Sequence, residues 1–325
     1  MSTPASTPTV RSLRIALTGT TGFFGRSVAA AALAAGHSVR GLVLPGEVSP
    51  LPAVQVVEGQ LGDPSVERLV DGCDVLIHLA ALGVQRRDRD WTRMTLVNAV
   101  HPLALLDAAA AAGVRQVVLA GSCLEYSGHG RLPGAPATGA PRCDESSPTE
   151  PPEAYGATKA AGGILQRTRA RELGLPAWYL RFASLYGPGD DGSKFLPAAV
   201  RAALTRTPFE MTGGEQVREW LHVDDAVAAV LAAVSARPPE PATTVNVGTG
   251  EGLTLRDVVQ EVFRTAGADR ALVRVGARPY HGEVHRLVMD ASLAGRVLGW
   301  RPRVALRAGL EALVRDETGR HRHGG

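Results

Sequence analysis

Cysteine is scarce in this chain. Cys73, Cys123 and Cys143 are its three among 325 residues, odd in number and far apart. That excludes a disulfide scaffold and leaves no closely spaced pair for a structural zinc; reduced thiols in a cytoplasmic setting fit best, with no metal expected. Charge of one sign is also lacking. The formal net charge is +3 and the basic residues are scattered, which gives no footprint for nucleic acid. Only Arg320-His321-Arg322-His323 is locally basic, and residues 316–325 are expected as a frayed tail. No run approaches the ~20 apolar residues of a membrane helix, so no membrane partner is expected. The start, Met1 to Ser12, is rich in Ser, Thr and Pro without an apolar core and reads as a disordered tail, not a signal peptide. What is present is 45% hydrophobic content, enough to bury one large or two modest cores.

Strands alternate with helices through the first half. Leu13 to Thr18 is apolar on both faces, Gly36 stops a helix running through Val28 to Ala35, and Val39 to Leu44 supplies the next strand. Val54–Val57, Val75–Leu79, Gln116–Ala120 and Ala177–Phe182 follow as strands, with helices over Pro64–Val70, Trp91–Ala112 and Glu153–Leu173 between them. The alternation predicts an α/β fold with a doubly wound parallel sheet, Rossmann-like. Between the first strand and helix lie Gly19, Gly22 and Gly25, spaced G-x-x-G-x-x-G. Such glycines permit a tight turn and a close backbone approach to a pyrophosphate, whose charge rests on the helix N-terminus. Residues 128–152, dense in Gly and Pro, read as a loop, either a lid beside the site or a surface insertion.

Tyr155 and Lys159 stand four apart, on one face of a helix. A phenol titrates near ~10 in water. A cation held beside it favours the phenolate and makes the tyrosine a usable acid/base.

The glycine turn and Tyr155-x-x-x-Lys159 together resemble the extended short-chain dehydrogenase/reductase family, and more closely its NAD(P)-dependent nucleotide-sugar epimerase/dehydratase branch. His78-Leu79-Ala80-Ala81, Asn98, Ser122 four residues before Tyr126, Leu180-Arg181-Phe182, Tyr186-Gly187-Pro188-Gly189, Arg218 to Asp225, Asn246 to Gly250 and Leu298 to Pro302 extend it from about Leu13 to Val314. The resemblance implies a dinucleotide-binding domain over 13–183 and about 219–249. A smaller, discontinuous C-terminal substrate domain would take 184–218 and about 250–315. It implies a homodimer through the helices Trp91–Ala112 and Glu153–Leu173. By the same resemblance Tyr155 moves a proton at a sugar oxygen, Lys159 binds the nicotinamide ribose, and Ser122 holds the substrate oxygen, while the cofactor carries the hydride. The cofactor is expected at Gly19, Thr21, Gly22, Phe23, Phe24 and Gly25, and at Arg26, Gln60, Leu61, Leu79, Ala80 and Ala81. Asn98, Tyr155 and Lys159 complete that set. The substrate, a small nucleotide-sugar, is expected at Ser122, Ser184, Arg218, Arg278, His281 and Glu283. Asp290 either follows that motif or caps a helix.

Departures from the family pattern choose the reaction. Where 4,6-dehydratases carry Thr-Asp-Glu, this chain has Ser122-Cys123-Leu124, with Glu125 displaced by one. One residue flips the face of a strand, so dehydration is disfavoured. Ser184 replaces an asparagine common after Arg-x-Phe. The second strand ends Gly41-Leu42-Val43-Leu44 with no acid for a ribose, and Arg26 and Arg40 lie near enough to meet a 2′-phosphate, which leans the cofactor from NAD to NADP. The sequence reading is therefore an NAD(P)-dependent oxidoreductase reducing a 4-keto nucleoside-diphosphate sugar. Its alternatives are an NDP-sugar 4-epimerase with retained NAD, a non-catalytic dinucleotide-binding sensor, and an enzyme for a non-sugar ketone.

Overall fold

The computed structural model describes residues 12–128, 142–279 and 285–323. Strand β1 (Arg14–Thr18) runs into helix α1 (Phe23–Ala34) and the chain returns as β2 (Ser38–Val43), followed by β3 (Gln55–Glu58), α2 (Ser65–Val70) and β4 (Val75–His78). A long helical run follows: α3 (Trp91–Thr95) and α4 (His101–Ala111), joined by a wider turn over Leu96–Val100. Then come β5 (Gln116–Ser122), α5 (Ala154–Glu172) and β6 (Ala177–Phe182). The second half holds β7 (Ser184–Tyr186), α6 (Phe195–Leu204), β8 (Phe209–Met211), β9 (Val217–His222), α7 (Val223–Ser235) and β10 (Ala242–Val247). It ends with β11 (Gly252–Thr254), α8 (Leu255–Thr265), β12 (Val273–Val275), β13 (Arg286–Leu287), α9 (Ser292–Leu298) and α10 (Leu306–His323).

Seven strands pair in parallel in the order β10-β6-β5-β4-β1-β2-β3. Alternate side chains of β1 go to opposite cores. Ile15 and Leu17 pack with Val28 of α1 and Val230 of α7, while Ala16 packs with Leu69 of α2 and Leu105 of α4. Burial on both faces is why these strands read as continuous apolar runs. The order reverses direction between β1 and β4, so the crevice outside the carboxyl ends of those two strands is where an open α/β sheet takes its ligands.

The smaller unit is a sheet of β11, β9 and β13 with β7 beside β9, and a separate β8–β12 pair. Helices α6, α8 and α10 close over Val200, Phe263 and Leu310. Two boundaries differ from the sequence reading. Residues 219–222 belong to β9 and hence to the small sheet, because Trp220 and Leu221 pair with Ser184 and Leu185. Residues 316–323 are not a tail: they continue α10, with Glu317 buried, and the basic residues mark a helix end that favours positive charge.

The run Trp91–Ala111 is 21 residues of mean hydropathy 1.3, long and apolar enough by length and composition to cross a membrane, against the expectation that no stretch comes close. It lies against the sheet instead, burying Met94, Ala99, Leu105, Leu106 and Ala109.

Candidate active site

One cleft of about 1060 Å³ opens at the β1–β4 crevice and extends to the small unit. The half of it beside β1 is built by glycine. Gly19 has φ +77°, and a Cβ there would stand 2.9 Å from the Ala80 amide nitrogen. A Cβ on Gly25 would strike the Gly19 carbonyl, so strand, turn and helix approach as closely as only glycine permits. Helix α1 starts at Gly22 with no side-chain cap and no acid in its first turn, which leaves its N-terminal amides toward the cleft. The chain thus has the cradle a pyrophosphate needs. Thr18 Oγ1 lies 2.7 Å from His78 Nδ1 and accepts from the Ala80 amide at 3.2 Å, fastening the turn to the end of β4. Burial lowers the His78 imidazole to about 3, so it stays neutral.

Ser122, Tyr155 and Lys159 converge on the same cleft from the end of β5 and the first turns of α5. The Ser122 hydroxyl is near enough to Tyr155 to favour its ionised form, and Lys159 Nζ donates to the Ala120 carbonyl at 2.8 Å. Burial pushes the Tyr155 phenol above its ordinary value, and the charge of Glu125 adds to this. Arg89 and the Ser122 hydroxyl only partly offset it. The sequence reading had Lys159 depressing this group. In the structure burial wins, and Tyr155 is a neutral phenol able to donate. Burial also lowers Lys159, against the pull of Glu125.

Glu125 is turned entirely into the core. A short turn over Cys123–Glu125 caps itself on Ser122, and Glu125 Oε1 accepts from the Ser122 amide (2.7 Å) and the Tyr179 hydroxyl (2.7 Å), Oε2 from Arg181 Nε (2.9 Å). Cys123 and Leu124 line the cleft in its place. Burial pushes Cys123 up to about 12, which makes it a packed thiol.

Of the other expected residues, Thr21, Phe23, Phe24, Gln60, Leu61 and Leu79 line the cleft, as do Ala80, Ala81 and Ser184. Several do not. Asn98 is buried as a clamp: Oδ1 accepts from the Leu82 amide, and Nδ2 donates to the Leu82 carbonyl and to Thr158 Oγ1. Arg26 donates to the Gly189 carbonyl. Arg40 reaches the carbonyls of Arg68 and Asp71 at the end of α2, so neither arginine is aimed at a 2′-phosphate. Arg218 Nη1 donates to the Val217 carbonyl at 3.0 Å, and Arg218 is not a cleft residue. Arg278 is exposed and 3.9 Å from Glu210. His281 and Glu283 lie outside the described residues. Asp290 is a cap, its Oδ1 accepting from the Ser292 amide.

Sequence reasoning missed Glu47, which lines the cleft in the turn after β2 and accepts from Thr21 Oγ1 at 3.0 Å. An acid three residues beyond Leu44 was the available signal. It also missed Gln85, Arg89, Asp191, Lys194 and Trp220, which the fold brings to the cleft from separate loops and for which no local pattern exists. At the far end the Phe195 and Trp220 rings stack, 6.1 Å between centroids.

Comparison with known proteins agrees with this geometry. Residues 15–248 match the family model described as NAD dependent epimerase/dehydratase family. A UDP-glucose 4-epimerase of Mycolicibacterium smegmatis is 30% identical over 318 residues, 93% of this chain and 97% of the relative. A dTDP-glucose 4,6-dehydratase of Streptomyces griseus is 30% identical over 267 residues, covering 81% and 77%. A putative GDP-L-fucose synthase 2 of Oryza sativa is 34% identical, but over only 55% of this chain and 52% of its own length. The solved structure of MoeE5 in complex with UDP-glucuronic acid and NAD superposes with a TM-score of 0.83 at 27% identity, covering 95% of this chain and all of that one.

Proposed function

Because the chain belongs to the NAD-dependent epimerase/dehydratase family, whose members are nucleotide-sugar enzymes, we propose that it is a nucleoside-diphosphate-hexose 4-epimerase that retains NAD. The observation that carries this reading is the burial of Glu125 behind Ser122. Ser122, Tyr155 and Lys159 line the cleft together, but Glu125, the acid next along the chain from Ser122, is locked to Arg181 and Tyr179 and cannot help expel water. That speaks against 4,6-dehydration. The 4-keto reduction first drawn from the sequence gives way to epimerisation. A 4-epimerase aligns along nearly the whole chain and the synthase along about half, and the arginines behind the NADP lean are engaged elsewhere.

In this reading the glycine turn and the α1 N-terminus would seat the pyrophosphate, and Lys159 Nζ would meet the nicotinamide ribose. Bound NAD supplies a hydride acceptor that can return what it takes. Tyr155 Oη removes the proton from the sugar 4-hydroxyl and later gives it back, while Ser122 Oγ holds the same oxygen. Inversion at C4 would require the sugar to present its opposite face within the cleft, while Tyr155 would return the proton to the C4 oxygen that Ser122 holds. The test is the nucleotide released on denaturing the desalted protein, together with NMR of UDP-glucose, UDP-glucuronic acid and dTDP-glucose incubated with it. Stoichiometric NAD and a 4-epimer of one of them support the reading; dehydration, or a requirement for added NADPH, would sink it.

Glu47 replaces the acid absent from β2 as the group for the adenosine ribose hydroxyls. Glu47→Ala is expected to weaken NAD about tenfold while leaving NADP nearly unchanged, because a charged hydrogen bond is lost only from the former. Equilibrium titration of both cofactors checks it.

The homodimer remains part of the proposal. Trp91, Leu96 and Val100 of the long helical run and Ile164 and Leu165 of α5 are large, apolar and between 39% and 61% exposed, on two helices that pack together. Ile164→Asp is expected to shift the protein from dimer to monomer in sedimentation.

A further inference from the structure

Gly187 to Lys194 crosses the β1–β4 crevice as a strap. On one side Arg26 of α1 donates to the Gly189 carbonyl, and Lys194 Nζ sits 5.1 Å over the Phe23 ring, at the glycine turn. On the other side the strap grips the loop after β4. Gln85 Nε2 donates to Asp191 Oδ2 at 2.6 Å, Ser193 Oγ donates to Gln85 Oε1 at 2.8 Å, and Arg87 lies 3.7 Å from Asp191. Gln85, Asp191 and Ser193 all line the cleft, so the bridge between them forms part of its wall.

A third fastening comes from the end of the chain. Asp316 Oδ2 accepts from the Gly189 amide at 2.7 Å, and Arg320 Nη1 donates to the Asp190 carbonyl at 3.0 Å. Arg320 also pairs with Asp316, so the last turns of α10 act as one clamp on the back of the strap. Gly189 has φ +84°, and a Cβ there would stand 2.6 Å from Arg26 Nη2, so the crossing needs glycine.

We propose that this strap, closed by Gln85 against Asp191 and Ser193 and held from behind by Asp316 and Arg320, is the element that retains the dinucleotide between turnovers. The proposal rests on the NAD-retaining reading above. A ligand lying across the carboxyl ends of β1 and β4 has the strap over it, and leaving requires that the Gln85 bridge open. Retention is a matter of dissociation rate, which such a bridge governs without touching the reacting atoms. The clamp from α10 gives the C-terminal helix a purpose beyond covering the small core. It fixes the strap from a distance, and Asp316 and Arg320 are positioning residues.

The experiment loads full-length protein with NADH, follows its fluorescence after a chase with excess NAD, and compares wild type with Gln85→Ala, Gly189→Ala, Arg320→Ala and Arg320→Lys. Limited proteolysis at 187–194 and thermal melting are recorded for each. The Gln85→Ala and Arg320→Ala proteins are expected to melt close to wild type, to be cut sooner in the strap, and to release NADH about tenfold faster, the equivalent of one net hydrogen bond. Arg320→Lys is expected to recover part of the loss. Gly189→Ala is expected to release NADH fastest. Faster cutting with release within twofold of wild type overturns the proposal while the functional reading stands. A wild-type protein that binds neither NADH nor NAD overturns both.

Discussion

Tyr155→Phe is expected to lower kcat by about 10²–10⁴-fold, the usual contribution of a positioned acid/base, with dinucleotide binding retained. The phenol lies in the cleft beside Ser122, while the glycine turn proposed to seat the cofactor stands on other strands and needs nothing from its hydroxyl. KM for the nucleotide sugar should move little, because the lost interaction acts on the proton in flight. A companion measurement gives the sign of the electrostatics. Removing a proton from the sugar requires the phenolate, which burial opposes and an ammonium held beside it would favour. Lys159→Met deletes that ammonium, so the rise of kcat with pH should move to higher pH. A pH–rate profile of the two proteins decides it: an unmoved limb in Lys159→Met would mean that Lys159 holds the cofactor and does not tune the tyrosine.

What was legible in advance is what lies close along the chain. Gly19, Gly22 and Gly25 announce a turn that only glycine can make, and Tyr155 and Lys159 announce a shared helix face, because both messages are carried by spacing alone. The doubly wound sheet was legible for the same reason: each strand is a short apolar run whose alternate residues feed two cores. The arginines were not. Arg26, Arg40 and Arg278 carry long side chains whose ends travel several ångströms from their own backbone, and each found a carbonyl or carboxylate elsewhere. Asn98 misled in another way: its position matched a family motif, but its amide was spent on Leu82 and Thr158. The strap was invisible because Gln85, Asp191 and Arg320 meet only after three separate elements have packed. The basic composition of residues 320–323 suggested fraying, yet Arg320 and Asp316 anchor that helix to Asp190 and Gly189.

The displaced Glu125 leads to the second large effect. Glu125 is fully buried and Arg181 is 4% exposed; the pair is extended by Arg181 Nη1 donating to the Tyr126 hydroxyl at 2.9 Å, which donates in turn to Asn246 Oδ1 at 2.6 Å. The Arg181 guanidinium also lies over the Tyr126 ring, 4.6 Å from its centroid. Removing one partner strands a buried charge, so Glu125→Ala is expected to cost about 3–5 kcal/mol. In a chain of this size that is roughly 5–10 °C of melting temperature. Removing both is a different matter. Glu125→Leu with Arg181→Leu removes both charges of the pair, and part of the stability should return, since a buried ion pair roughly breaks even against apolar residues of similar volume; the remainder is what buried Lys159 loses with Glu125. Activity should not return with it. The Ser122 amide would still lack its acceptor at Glu125 Oε1, and the serine proposed to hold the substrate oxygen would no longer be fixed. Thermal melting and kcat on the single and double variants separate the two roles. Parallel recovery of both would make Glu125 a packing residue only. A stable double variant with depressed kcat would show that Glu125, turned away from the cleft, supports the serine proposed to act in it.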